Sequence, residues 1–285
     1  MAIYDCFQYF NEEHIANLRF NILNKHVDYF VIVESTVNHQ GQKKDLHFKI
    51  EKYKKFKNKI KYIVVDDTPD IIKKPHEGGE SLVEQHQRNS LMKVLNTAKD
   101  DDLIILSDVD EIPDLKKLNQ YNKKNKYVVF SQKAFAYKLN LLNKAENNWH
   151  GSKMCLKKHL KSPQWLRNLK FKKYPFWRLD TFFSKKKYSN LLFVKNGGWH
   201  FTCLRTPEEL EKKLLNFAHH YEFEESGLKI NDIKKLINEK RVMYDHNVDQ
   251  KSYKWSGKAK LKKIEMSLLP DYISSNLAKY KDWLD

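Results

Sequence analysis

Short apolar runs recur along the first 115 residues, and each ends in polar side chains. Ile3 to Phe10 is aromatic and β-prone and predicts a first strand. Asn11-Glu12-Glu13 then caps a helix in which Ile15, Leu18, Ile22 and Leu23 share one face. Tyr29 to Val33 predicts a second strand ending at Glu34-Ser35, followed by a polar loop with Asn38, His39 and Gly41. A short basic helix from Ile50 to Lys57 precedes a third strand, Ile60 to Val65, which ends in Asp66-Asp67. A loop with Pro69, Pro75, Gly78 and Gly79 leads to a long helix over Ser81 to Thr97, with a partial stripe of Leu82, Val83, Leu91, Val94 and Leu95. The fourth run, Leu103-Ile104-Ile105-Leu106, has no polar position and reads as a strand buried on both faces. It passes directly into Ser107-Asp108-Val109-Asp110-Glu111-Ile112-Pro113.

Strand and helix alternate four times, which predicts an α/β fold with a mostly parallel central sheet and helices on both faces. The polar strand ends then line one sheet edge, where open α/β sheets place ligands. The second half is less regular. Tyr127 to Tyr137 predicts one or two strands, and Phe176 to Phe183 and Tyr188 to Val194 predict others. Asn140 to Lys173 is basic and has no clear period. A turn at Lys195-Asn196-Gly197-Gly198 leads to Trp199-His200-Phe201, Pro207 opens a helix, and a helical, charged tail runs from Ile230 to about Tyr272. Without repeats or an obvious linker, residues 1–285 read as one domain, with a binding half over 1–125 and an acceptor-side half over 126–285.

Composition narrows the class. The 285 residues are 41% hydrophobic, 13% aromatic and 31% charged, which describes a globular chain rather than a disordered one. No run approaches the ~20 apolar residues of a membrane span, and Met1 to Cys6 has no basic-then-apolar leader pattern. Three widely spaced cysteines give no zinc pattern and fit a reducing compartment, so a cytoplasmic location is expected. The formal net charge of +17 favours anionic partners. Because the excess is dispersed lysine, it suits a solvated surface or peripheral contact with an anionic membrane better than a nucleic-acid groove.

Three carboxylates within four residues repel one another unless a cation sits among them, and hard oxygen ligands suit Mg²⁺ or Mn²⁺. The competing reading is a solvated turn or helix cap, with Pro113-Asp114 opening a helix. No Gly-x-Gly-x-x-Gly or Walker loop is present, which argues against a dinucleotide site or an NTPase. Asp-x-Asp after a strand also occurs in haloacid-dehalogenase-type phosphatases, but on their first strand. A basic nucleic-acid or membrane-surface binding protein is the third alternative, and it gives no reason for a buried strand to end in carboxylates. His200, preceded by two glycines that allow close backbone approach, is either a metal ligand or a core histidine beside Trp199. Arg88 offers a fork for a diphosphate or a partner for Glu84 one turn away.

Four segments together resemble glycosyltransferase family 17: Tyr4-Asp5-Cys6-Phe7 with Phe10-Asn11-Glu12-Glu13, Phe30-Val31-Ile32-Val33-Glu34-Ser35, Asp108-Val109-Asp110-Glu111-Ile112-Pro113, and Gly197-Gly198-Trp199-His200-Phe201. His220-Tyr221-Glu222-Phe223 is a softer match, and residues 138–190 follow the family pattern poorly. The resemblance implies a GT-A-like nucleotide-sugar-binding fold, a UDP-sugar donor with UDP-GlcNAc the first choice, a divalent metal and an inverting reaction on a glycan acceptor. On that basis Asp110 is the direct metal ligand, and Asp108 binds the metal through water or holds the ribose. Glu111 is a third candidate, and His200 completes the set. Phe10, Asn11 and Glu34, at the carboxyl ends of strands one and two, are placed to receive the uridine. An inverting displacement needs a general base, for which Glu222 and Asp180 are the candidates.

Overall fold

The computed structural model describes the chain apart from residues 73–80, 123, 171–176, 180–182, 185, 186, 188, 189, 217–219, 246–254, 256 and 258. Its strands are β1 (Ile3–Gln8), β2 (Tyr29–Ser35), β3 (Ile60–Val65), β4 (Leu103–Leu106), β5 (Glu111–Pro113), β6 (Tyr127–Phe130), β7 (Lys133–Ala136), β8 (Leu141–Asn143), β9 (Lys153–Leu156), β10 (Leu191–Val194), β11 (Gly198–Thr202) and β12 (Leu261–Lys263). They form a seven-stranded sheet in the order β10-β6-β9-β4-β1-β2-β3 and a five-stranded sheet in the order β12-β8-β7-β11-β5. In the first sheet only β9 runs against its neighbours, β4 and β6. The fold is mixed α/β, with a mostly parallel main sheet.

The apolar run of β4 is buried on both faces, as its composition requires. Leu103 and Ile105 join one core cluster, and Ile104 and Leu106 join the other. β2 divides in the same way, with Phe30 and Ile32 on one side and Val31 and Val33 on the other. Helix α1 (Glu13–Leu23) covers the first face with Ile15, Leu18, Phe20 and Leu23. Helices α2 (Leu82–Asn89), α3 (Met92–Leu95) and α4 (Pro163–Arg167) lie on the second face, to which Leu91, Leu95 and Leu166 belong. Asp5 breaks the apolar pattern of β1. It is fully buried and accepts from Arg19 of α1, Nε to Oδ2 at 2.7 Å and Nη2 to Oδ1 at 2.5 Å. A buried charge is tolerated when paired in this bidentate way.

The elements differ from the sequence pattern in specific places. The long helix expected over Ser81 to Thr97 is broken at Ser90 into α2 and the single turn α3, because its apolar positions do not keep one helical face. Ser81 caps α2 by accepting from the Glu84 amide at 3.2 Å. The basic segment is a 3₁₀ run, Ile50–Lys59. Tyr127 to Tyr137 supplies two strands in different sheets. The unread stretch after Asn140 supplies β9, which enters the main sheet between β4 and β6. The tail is not wholly helical: after the helices α5 (Pro207–Asn216), α6 (His220–Ser226) and α7 (Ile230–Asn238) it contributes β12. Of the strand expected over Phe176 to Phe183, residues 176 and 180–182 lie outside the described residues, and the described residues 177–179 and 183 are not in a strand. No helix among the described residues is long and apolar enough to cross a membrane.

Candidate active site

The acidic stretch links the two sheets. β4 ends at Leu106, the chain turns through residues 107–110, and β5 then pairs antiparallel with β11, setting Glu111 opposite His200. Asp110 and His200, 90 residues apart in sequence, meet because of this pairing. The Phe201 amide donates to the Asp110 carbonyl at 2.9 Å. The Asp110 carboxylate Oδ2 then lies 3.8 Å from His200 Nε2. The close approach of β11 to β5 depends on Gly198, whose φ is +141° and whose added Cβ would sit 2.2 Å from the Ile112 carbonyl oxygen.

The three carboxylates have separate environments. Glu111 is 1% exposed and both its oxygens are engaged. Oε1 accepts from Trp149 Nε1 at 2.7 Å and Arg167 Nη2 at 3.1 Å, and Oε2 accepts from Arg167 Nη1 at 2.7 Å and the Asp108 amide at 2.8 Å. Burial alone would raise its pKa, but Arg167 outweighs burial and holds it down at about 2. Gly151 makes room for this carboxylate, since a Cβ there would lie 2.0 Å from it. Glu111 therefore braces the turn rather than capping a helix or facing a metal. Asp108 accepts from Arg167 Nη2 at 2.6 Å and Arg88 Nη2 at 3.4 Å, and its side chain keeps 37% exposure. Asp110 alone of the three borders an open cleft of about 650 Å³, shared with Asn11, Glu12, Cys203, Arg205 and Lys213.

His200 is buried, with Trp149 stacked on its ring at 4.4 Å. Its Nδ1 is buried and has no hydrogen-bond partner among the described residues. No group of three His, Cys, Asp or Glu side chains is gathered in metal-binding geometry among those residues. The Asp110–His200 pair has donor types that suit a divalent cation, a carboxylate oxygen and an imidazole nitrogen. At 3.8 Å they are wider apart than adjacent octahedral positions, which lie about 3 Å apart around an ion about 2.1 Å from each donor, so the two side chains would have to close by about 0.8 Å to share one. Asp108 is instead bonded by two guanidinium groups, those of Arg167 and Arg88.

Other expected site residues separate. Glu34 is fully buried and accepts from Lys44 Nζ, the His47 and Phe48 amides and Tyr62 Oη. It pins the loop over 44–48 and has no capacity left for a nucleotide, which corrects its expected uridine contact. Arg88 is buried and donates to Glu84, to Gln164 Oε1 at 2.5 Å and to Asp108, so its fork is used inside the protein and not on a diphosphate. Phe10 is half-buried at the end of β1, with Lys44 Nζ 5.2 Å from its ring centroid and His47 at its edge. Asn11 is exposed and reaches the cleft. Glu222, in α6, takes a hydrogen bond from Tyr244 Oη at 3.4 Å and is not among the residues lining the cleft. Asp180 lies outside the described residues.

Pattern reading missed Arg19, Arg167 and Arg205. A signal was available: only six of the 53 basic residues are arginines. Arg19, Arg88 and Arg167 bond the acidic turn, and Arg205 donates to the Asn11 carbonyl at 2.8 Å and to Glu12 Oε1 at 3.1 Å beside the cleft. Planar forks are what a crowded carboxylate and carbonyl cluster needs, and ammonium groups do not supply them.

The sequence profile of glycosyltransferase family 17 matches residues 1–284. The chain belongs to glycosyltransferase family 17. No curated protein sequence matches it significantly. Family membership makes it a transferase with a nucleotide-sugar donor and an acceptor substrate. It sets aside the phosphatase and the simple binding-protein alternatives. In this glycosyltransferase the acidic stretch follows β4 and faces the second sheet.

Proposed function

We propose that this family 17 enzyme is a divalent-cation-dependent, inverting glycosyltransferase with a GT-A-like donor site, moving GlcNAc from UDP-GlcNAc to a glycan acceptor. The observation that carries this reading is the Asp110–His200 pair at the carboxyl end of a central parallel strand, beside an open cleft. Asp110 Oδ2 and His200 Nε2 would hold Mn²⁺ or Mg²⁺, which supplies charge neutralisation for the departing diphosphate. Asp108, fixed by Arg167, presents its carboxylate to a ribose hydroxyl or to a water on the ion. Phe10 offers a ring face for uracil. An acceptor hydroxyl oxygen attacks the anomeric carbon as the bond to the diphosphate breaks, and a carboxylate takes the hydroxyl proton. Glu222 and Asp180 remain the proposed bases; Glu222, which does not line the cleft, can serve only where the acceptor extends out of the cleft to α6.

A panel of UDP-sugars assayed for donor hydrolysis with Mn²⁺ tests the reading. UDP-GlcNAc turnover that stops in EDTA is the expected result. Turnover of no UDP-sugar, or turnover unchanged by EDTA, would overturn it. The charge of +17 supports a further part of the proposal, a cytoplasmic enzyme in salt-sensitive contact with an anionic membrane surface. Co-sedimentation with anionic lipid vesicles that is insensitive to salt, or absent, would refute that part.

A further inference from the structure

We propose that Arg19 is a positioning residue that sets the Asp110 carboxylate against His200 and so sets the affinity for the divalent cation; this rests on the cation reading above. Arg19 belongs to α1 and is fully buried. Asp5 occupies its Nε and Nη2, and the whole guanidinium lies 4.9 Å from the Phe7 ring centroid. Its remaining nitrogen points at the acidic turn. Nη1 donates to the Asp108 carbonyl at 3.1 Å, the Val109 carbonyl at 3.3 Å and the Glu111 carbonyl at 2.8 Å.

These three carbonyls bracket residue 110. They belong to the turn and to the first residue of β5. The Asp108 carbonyl also accepts from the Glu111 amide at 3.0 Å and the Glu111 carbonyl from Ser152 Oγ at 3.0 Å, so at these two Arg19 adds a second bond, and at Val109 it supplies a partner that a buried carbonyl needs. The carbonyl it skips, that of Asp110, is taken by the Phe201 amide of β11, the residue next to His200. The peptide planes around Asp110 are thus held from two sides, by Arg19 through its neighbours and by β11 through its own carbonyl. With the backbone so fixed, the Asp110 side chain is directed to Nε2 of His200. Lysine cannot substitute. Its single ammonium can pair with Asp5 but cannot also reach three carbonyls on the far side.

The chain of contacts runs from Asp5 through Arg19 and the turn to Asp110. Arg19 touches neither cation nor substrate in this scheme. Outer partners that orient metal ligands typically change metal affinity by about 10- to 100-fold when lost. A purely structural ion pair would instead lower stability and leave cation affinity alone.

The test is the Mn²⁺ dissociation constant, measured by the electron paramagnetic resonance of free Mn²⁺ with saturating UDP. It is measured for the wild type, Asp110→Asn and Arg19→Lys, with near-UV circular dichroism to show that each is folded. Arg19→Lys is expected to weaken Mn²⁺ binding by about tenfold or more. If Arg19→Lys does not fold, the neutral hydrogen-bonding pair Asp5→Asn with Arg19→Gln is measured in its place, with the same expectation. A folded variant that binds Mn²⁺ within twofold of wild type, while Asp110→Asn binds it poorly, overturns the positioning role and leaves the cation site standing. Unchanged Mn²⁺ affinity in Asp110→Asn overturns the cation site itself.

Discussion

Arg167 holds Asp108 at 2.6 Å and, with the same guanidinium, holds both oxygens of Glu111. One arginine from α4 therefore pairs with two of the three carboxylates in the acidic stretch, and Arg88 adds a second positive charge beside Asp108. Its own charge is secured in return, since Asp108 and Glu111 raise its pKa against the opposing effect of burial. What remains for the cleft is Asp110. The stretch divides into a braced part, Asp108 and Glu111, and an available part.

Removing Arg167 leaves Glu111 buried and unpaired. We expect Arg167→Ala to cost about 3 kcal/mol, the range seen when one member of a buried pair is lost. Urea unfolding measures it, and a loss under 1 kcal/mol would mean that the network is not formed. Activity is expected to fall with it, because Asp108 loses its orientation.

Asp110→Asn is expected to behave in the opposite way. Its side chain is 17% exposed and lies outside the arginine network, so the melting temperature of the apo protein should change little. The effect should appear in ligand stabilisation. With Mn²⁺ and UDP at a hundred times their dissociation constant, the wild type gains about 2.7 kcal/mol, and neither EDTA-treated wild type nor the variant does. Thermal shift assays in the four conditions decide this. Equal stabilisation in EDTA removes the metal from the nucleotide site.

Gly151 tests the packing of the braced part. A methyl group there would sit 2.0 Å from the Glu111 carboxylate, which has no room to retreat with both oxygens bonded. Gly151→Ala is expected to destabilise by about 1–3 kcal/mol, as overpacked cores do. A calorimetric scan showing no loss would indicate that Glu111 can leave its pocket.

Lys153 gives a pH signature. It lies buried in β9 and donates to the Arg167 carbonyl and, at 2.7 Å, to the Leu169 carbonyl. Burial, followed by the Arg167 charge, lowers its pKa to about 7. The unfolded chain, with an ordinary lysine pKa of about 10.4, then binds more protons than the folded one between those values. Stability contributed by this site should rise with pH from about 7 to about 10. Lys153→Met should flatten that rise relative to wild type in unfolding experiments at neutral and alkaline pH, and parallel pH profiles would show that the lysine keeps its proton.

Much of the main sheet is written locally. β4 needed only four consecutive apolar residues, and α1 only its spaced Ile15, Leu18 and Leu23, because burial on two faces or one leaves a periodic trace. The chemistry was half legible. Asp108, Asp110 and Glu111 announced an anionic cluster, and Gly197-Gly198-Trp199-His200-Phe201 a second segment of the family pattern; the resemblance favoured Asp110 as the direct ligand, but the residue types alone did not state which carboxylate faced the cleft.

That assignment came from partners far away in sequence. Strands of three or four residues such as β5 and β9 carry no period of their own and exist because neighbouring strands supply their hydrogen bonds. β5 pairing with β11 brings His200 to Asp110, whereas Arg167 and Trp149 withdraw Glu111 into the interior. Glu34 and Arg88 looked equally fit for a nucleotide on residue type alone, yet Lys44, Tyr62, Glu84 and Gln164 consume their bonding capacity. Residue type sets what a side chain can bond. Only packing settles which of those bonds the protein has already made and which are left for a ligand.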